Sequence, residues 1–143
     1  MESVNSIRVQ RLSQEAILPT RAHADDAGLD IYCLEDITLE PKSGRAIRSG
    51  IALALPPKHV GLVADRSSLA KKGVKCAGGV IDAGYRGEIH VVLWNISGEP
   101  VFIRRGDRMA QILILPIATP AVMEVTELDE TTRGTKGFGS TGA

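Results

Sequence analysis

Ile89-His90-Val91-Val92-Leu93-Trp94-Asn95-Ile96 is the stretch whose pattern decides the fold. Ile89, Val91 and Leu93 alternate with Val92, Trp94 and Ile96, so a period-two element is apolar on both faces. β-Branched and aromatic side chains suit a pleated surface, which makes this a strand. Ala110 to Ile117 repeats the pattern, Ile112 and Ile114 alternating with Leu113, Leu115 and Ile117. A single-layer antiparallel sheet would show water a polar face. Apolar residues on both faces, in a domain this small, therefore predict that the second face packs against another copy of the chain.

Outward from these strands, short apolar runs alternate with Gly, Pro, Asp and Ser clusters from Ile7 nearly to Leu128, the punctuation of a β-sandwich or barrel. Strands are expected at Ile7 to Leu12, Gly28 to Leu34, Ile47 to Leu55, Val60 to Ala64, Glu88 to Ile96 and Ala110 to Ile117. Ile37 to Leu39, Pro100 to Ile103 and Val122 to Val125 predict shorter ones. Ser67-Ser68-Leu69-Ala70-Lys71-Lys72-Gly73 breaks the pattern with a hydroxyl N-cap, a basic last turn and a terminal Gly, and predicts one short helix. The whole chain of 143 residues fits one all-β domain. With aromatics at only 3%, its core must be built from Val, Ile, Leu and Ala.

Charge narrows the function. Seventeen basic and seventeen acidic residues cancel, so no whole-body field exists to hold nucleic acid or an anionic membrane. An anionic ligand must be gripped locally. Cys33 and Cys76 lie far apart and away from His at metal-ligand spacing, which predicts buried thiols rather than a zinc site or disulfide framework. The first residues lack an apolar leader, and the most apolar stretch, Met109 to Met123, is interrupted by Gln111, Pro116 and Pro120 and is too short to span a bilayer. The cytoplasm, or the nucleus or interior of a virus-infected cell, is the expected location.

Five segments carry chemistry. Asp25-Asp26-Ala27-Gly28-Leu29-Asp30 brings three carboxylates to the entrance of a strand, suited either to Mg²⁺ held largely through water or to a solvated acidic loop. Arg66, Ser67 and Ser68 stand at a predicted helix N-terminus, where a phosphate would fit and where either serine could equally be a plain cap. Gly78-Gly79-Val80-Ile81-Asp82-Ala83-Gly84-Tyr85-Arg86-Gly87-Glu88 reads as a hairpin with Asp82 and Tyr85 at its tip, able to face a ligand or simply to favour a turn. Arg105-Gly106-Asp107-Arg108 is a Gly turn feeding a strand in which Gln111 is the odd polar residue, and its integrin-type tripeptide is accidental. The segment from Asp129 onward is polar and rich in Gly, a tail that cannot bury enough to order itself. Within it, Arg133, Lys136, Ser140 and Thr141 have the make-up of a phosphate grip, and Phe138 suits stacking on a base. It is not a Walker A loop, since no helix follows it. His23, His59 and His90 are isolated.

Taken together, in this order from Ala27 to Gly142, these segments resemble the dUTP diphosphatases (dUTPases). The resemblance implies a distorted jelly-roll β-sandwich or barrel, a homotrimer with shared active sites, and Mg²⁺-dependent hydrolysis of dUTP to dUMP and pyrophosphate by water attack at the α-phosphate. By position, Asp82 corresponds to the carboxylate that orients and deprotonates the water, and Gln111 to a group near that water and the α-phosphate. Tyr85 corresponds to the ring beneath the deoxyribose that excludes a 2′-hydroxyl. The resemblance assigns uracil to the backbone of Gly79, Val80 and Ile81 with Cys76 nearby, and phosphate contacts to Arg66, Ser67 and Ser68. Asp30 would reach the metal through water. Arg133, Phe138, Gly139, Ser140 and Thr141 belong to an arm, 129 to 143, that closes over the site. Such an enzyme removes dUTP from the nucleotide pool and supplies dUMP for dTMP synthesis. Three positions depart from the family pattern: Asp65 where Pro is frequent, Gly84 where an acid often precedes the Tyr, and Cys76 where many relatives have a polar residue. Two rivals share the fold: a dCTP deaminase, and a catalytically silent nucleotide-binding module. Asp82, with its shorter reach than the deaminase glutamate, and the Phe138 arm favour the diphosphatase.

Overall fold

In the structure, a computed structural model that describes residues 6 to 139, the period-two stretches become strands. Eleven strands and one helix are present among the described residues: β1 (Arg8–Arg11), β2 (Leu29–Tyr32), β3 (Ile37–Leu39), β4 (Ser43–Arg48), β5 (Ile51–Ala54), β6 (His59–Ala64), α1 (Ser67–Lys71), β7 (Val74–Ala77), β8 (Val80–Ile81), β9 (His90–Asn95), β10 (Val101–Ile103) and β11 (Arg108–Pro116). They pair, all antiparallel, as β1-β5, β10-β3, β2-β11-β6-β8 and β4-β9-β7. The chain is therefore mostly β-sheet with one short helix, as the composition predicts.

Alternation selects the core. Ile89, Val91 and Leu93 are fully buried and join Ile31, Leu39, Ile51, Leu53, Met109 and Ile112 in one aliphatic cluster. The other face of β9 stays open: Trp94 is 46% exposed and Ile96 60%, with Leu115 and Ile117 exposed on the β11 segment. Large apolar side chains left in water on two strands are what an unmet partner surface looks like.

Three local readings are corrected. The expected strand Ile47 to Leu55 is two strands, split at Ser49-Gly50. Gly50 has a φ of +73°, and a Cβ on it would come within 2.9 Å of the Ala16 Cβ. Alternation gives no sign of such a kink. Gly50→Ala is expected to destabilise the fold by about 1–3 kcal/mol, the combined cost of left-handed backbone and crowding, read from a lowered denaturation midpoint in urea. Second, Val122 to Val125 forms no strand. The ladder runs through Pro116, paired with His59, and ends after Ile117; Pro120 follows, and Val122 and Met123 are largely exposed. Third, α1 has Arg66 rather than a serine as its N-cap, without a side-chain capping bond, while Gly73, at φ +88°, ends it as predicted.

Candidate active site

The segment 78–88 is not a closed hairpin. β7 pairs with β9, and the chain between them makes an excursion in which β8 lies against β6, Gly61 opposite Ile81 and Leu62 opposite Val80. Gly78 and Gly79 turn the chain at φ +66° and +100°, and a Cβ on Gly79 would come within 2.9 Å of the Val63 carbonyl oxygen. Asp82 follows directly and its carbonyl accepts the Tyr85 N–H at 3.1 Å. The Tyr85 hydroxyl donates to the Glu88 carbonyl at 2.8 Å, and a Cβ on Gly87 would lie 2.5 Å from that hydroxyl. The Glu88 carboxylate accepts the Gly50 N–H at 3.0 Å and pairs with Arg48 at 3.2 Å, so the turn is pinned to the kink between β4 and β5. Burial pushes the Glu88 carboxyl up, but Arg48 and the Gly50 N–H outweigh it and hold it below the ordinary carboxylate range. Val80 and Tyr85 remain exposed.

A second cluster forms where β2, β11 and β6 run side by side. Register puts Gln111 between Asp30 and Ala64, so Asp30 and Gln111 project from one face. Asp30 faces two guanidiniums, Arg66 Nε at 3.6 Å and Arg108 Nε at 3.7 Å. Arg66 also donates to the Arg108 carbonyl at 3.3 Å. Gln111 Nε2 donates to the Asp65 carbonyl at 2.9 Å, and its Oε1 occupies the space a Gly28 side chain would need. Beside this lies a cleft of ≈ 360 Å³ whose lining includes Arg66, Ser68, Lys72, Phe102, Arg108 and one carboxylate, Asp107. Three cations and a hydroxyl against a single carboxylate leave the cleft net positive, which suits an anionic group.

Asp65 closes the cluster on its other side. Its carboxylate accepts the Cys76 N–H and pairs with Lys75 at 3.1 Å. Burial raises the Asp65 carboxyl, and these partners more than reverse it, leaving it below the usual value. Cys76 is pushed up to about 12 by burial and then by the Asp65 carboxylate, so it stands beside the cluster as an uncharged thiol. Cys33 is buried and its thiol also raised, chiefly by burial, as expected of an inert core cysteine.

The structure thus brings together Asp30, Arg66, Ser68, Gln111 and, at one remove, Cys76, while Ser67 is exposed and does not line the cleft. The structure does not bring Asp82 and Tyr85 to them. Asp82 lies one residue past the β8 row that faces Gly61, whereas Gln111 faces Ala64 and Arg66 lies beyond it. At about 3.3 Å per residue, Asp82 is on the order of 13 Å along β6 from the Gln111 row and about 20 Å from Arg66. The three carboxylates at the β2 entrance do not converge either. Asp26 accepts the His23 N–H at 3.0 Å in its own turn, and no group of three or more His, Cys, Asp or Glu able to hold a metal ion occurs among the described residues. Arg133 turns back on the Lys136 carbonyl at 2.9 Å, and Phe138 is fully exposed. Ser140 and Thr141 lie outside the described residues. Asp107 serves its own turn, accepting the Arg104 N–H at 2.9 Å. Sequence reasoning missed Arg108, Lys72 and the Asp65 hub, because each is brought in by non-local pairing that leaves no periodic mark.

A cleft lined by Arg66, Lys72 and Arg108 and a separate carboxylate-bearing turn suit a β protein that handles a nucleoside polyphosphate, and comparison with known proteins narrows the class. The chain belongs to the dUTPase family, whose sequence profile matches residues 14–142. It is 45% identical over 141 residues to the deoxyuridine 5′-triphosphate nucleotidohydrolase of Rhodococcus erythropolis, covering 96% of this chain and 86% of that one. With the enzyme of the same name from Corynebacterium jeikeium the identity is 47% over 143 residues, 95% and 92% of the two chains. Among solved structures it is similar to the dUTPase of Staphylococcus bacteriophage 80alpha with dUpNHpp, at a TM-score of 0.91 and 32% identity, covering 98% of this chain and 100% of that one. No helix among the described residues is long and apolar enough to cross a membrane.

Proposed function

We propose that this chain hydrolyses dUTP to dUMP and pyrophosphate, as a dUTP diphosphatase of jelly-roll form whose active sites are each assembled from more than one copy in a homotrimer. The observation that carries the shared site is the separation along β6. A single chain holds the phosphate cluster and the Asp82 turn at opposite ends of one strand, too far apart to act on one phosphorus. A neighbour's Asp82 turn set against this chain's Arg66 and Gln111 removes the difficulty, and the exposed Trp94, Ile96, Leu115 and Ile117 supply apolar surface for the contact.

In that arrangement Asp82 accepts a proton from a water whose oxygen attacks the α-phosphorus. The bond from that phosphorus to the oxygen bridging the α- and β-phosphates breaks, and pyrophosphate leaves with the electron pair. Gln111 orients the water, while Arg66, Ser67 and Ser68 hold the phosphates, with Arg108 and Lys72 adding charge along the cleft. Tyr85, fixed through its hydroxyl and the bare Gly87, packs under the sugar and leaves no room for a 2′-hydroxyl. β8 is the edge strand of its sheet among the described residues, so Gly79, Val80 and Ile81 can offer one row of backbone groups to uracil as they would to another strand, with Cys76 a neutral neighbour. The arm carrying Arg133, Phe138, Gly139, Ser140 and Thr141 closes over the bound nucleotide and excludes bulk water.

Asp30 is one carboxylate between two guanidiniums, which fits an ion brought in on the triphosphate and touched through water, not a protein cage. Mg²⁺ bound there would supply charge neutralisation on the phosphates. The test is pyrophosphate release across dUTP, dTTP, dCTP and UTP, with and without Mg²⁺. Release from dUTP alone, enhanced by Mg²⁺, is the expected result. Ammonia from dCTP with no pyrophosphate from dUTP would make the chain a deaminase, and no product from any nucleotide a silent binding module.

A further inference from the structure

We propose that Asp65 is a positioning residue for this reaction: its carboxylate, tethered to β7, fixes the carbonyl that orients Gln111. The inference rests on the reading of Gln111 as the group beside the reacting water. β6 ends at Ala64, and the Asp65-Arg66 turn leads into a helix that has no side-chain cap of its own. What holds this turn laterally is the Asp65 side chain, about three-quarters buried at 27% exposure, with one oxygen on the Cys76 N–H and the other 3.1 Å from the Lys75 ammonium. The Asp65 carbonyl, on the same residue, then receives Gln111 Nε2 at 2.9 Å.

That bond settles which way the Gln111 amide faces. A flipped amide would set Oε1 against the carbonyl oxygen, so Nε2 stays on Asp65 and Oε1 stays over Gly28, whose missing side chain makes the room. Gln111 Oε1 is thereby kept as an acceptor for a proton of the attacking water. Movement of the Asp65 carbonyl by a fraction of an ångström would carry the amide with it. The anchor spans three segments distant in sequence: the β6–α1 turn, β7 and β11.

A double-mutant cycle tests this, with kcat and KM for dUTP measured on Asp65→Ala, Gln111→Ala and the double variant. Loss of the tether should lower kcat about 10- to 100-fold, the usual penalty for slight misplacement of a catalytic group, with KM within about twofold because the loss falls in the transition state. Added to Gln111→Ala, the Asp65 change should cost nothing further, since both act through one amide. Asp65→Asn keeps an oxygen for the Cys76 N–H but loses the Lys75 pair. It should fall between wild type and Ala, and it carries the cycle if the Ala variant does not fold. Additive losses, or an Asp65 effect confined to KM, would overturn the positioning role and leave the proposed function standing. Normal turnover in Gln111→Ala alone would take Gln111 out of the mechanism, and the positioning role with it, while dUTP hydrolysis itself would stand.

Discussion

Asp82→Asn is expected to bind dUTP with nearly unchanged affinity and to turn it over roughly a hundred- to ten-thousand-fold more slowly, the span ascribed to a positioned general base. Asparagine keeps the shape and hydrogen-bonding reach of the side chain, and the fold at this point depends on backbone contacts. The Asp82 carbonyl receives the Tyr85 N–H, and β8 is held by pairing to β6. What disappears is the capacity to accept a proton from water. Calorimetric titration with a non-hydrolysable dUTP analogue gives the binding half of the prediction, and single-turnover pyrophosphate release gives the chemical half. Turnover near the wild-type rate would remove Asp82 from the mechanism.

Removal of Gly134 to Ala143 should leave a folded, oligomeric protein whose kcat/KM for dUTP is lower by on the order of a hundredfold or more, comparable to the loss of a main electrostatic stabiliser. No strand forms between Ile117 and Gly139, and Phe138 is fully exposed, so the described part of the deleted segment adds no packing to the core. The site loses its cover and part of its phosphate grip, which weakens the remaining charge interactions by readmitting water. Circular dichroism and sedimentation should match the full chain while pyrophosphate release collapses. Full activity in the truncated protein would show that the arm has no part in catalysis.

Much of this was legible in the sequence. Double-faced apolar alternation in 89–96 and 110–117 gives the strands, the core and the surplus face together, because a period of two ties each residue to one side of a sheet. Gly73 ends the helix because its φ of +88° demands little of a residue without a Cβ. What could not be read was partnership. β7, Val-Lys-Cys-Ala, is too short and mixed to announce itself, and it exists because β9 and the Asp65 carboxylate hold it. The charged front of β4 is a strand for the same reason, since β9 pairs it throughout. The site follows the same rule. Asp82, Tyr85, Arg66 and Gln111 are visible as residue types in suggestive loops, but nothing local tells which of them share an end of β6. Arg108 becomes visible only once β11 lies beside β2 and its guanidinium meets Asp30.

Mixing two inactive variants addresses the division of the site directly. Asp82→Asn and Gln111→Ala chains, unfolded together and refolded at equal amounts, should recover pyrophosphate release that neither shows alone. Random assortment in a closed ring pairs an intact Asp82 with an intact Gln111 at about one site in four. Activity that stays at the level of the separate variants, in refolded oligomers shown to contain both chains, would mean that each site lies within one chain and would contradict the account.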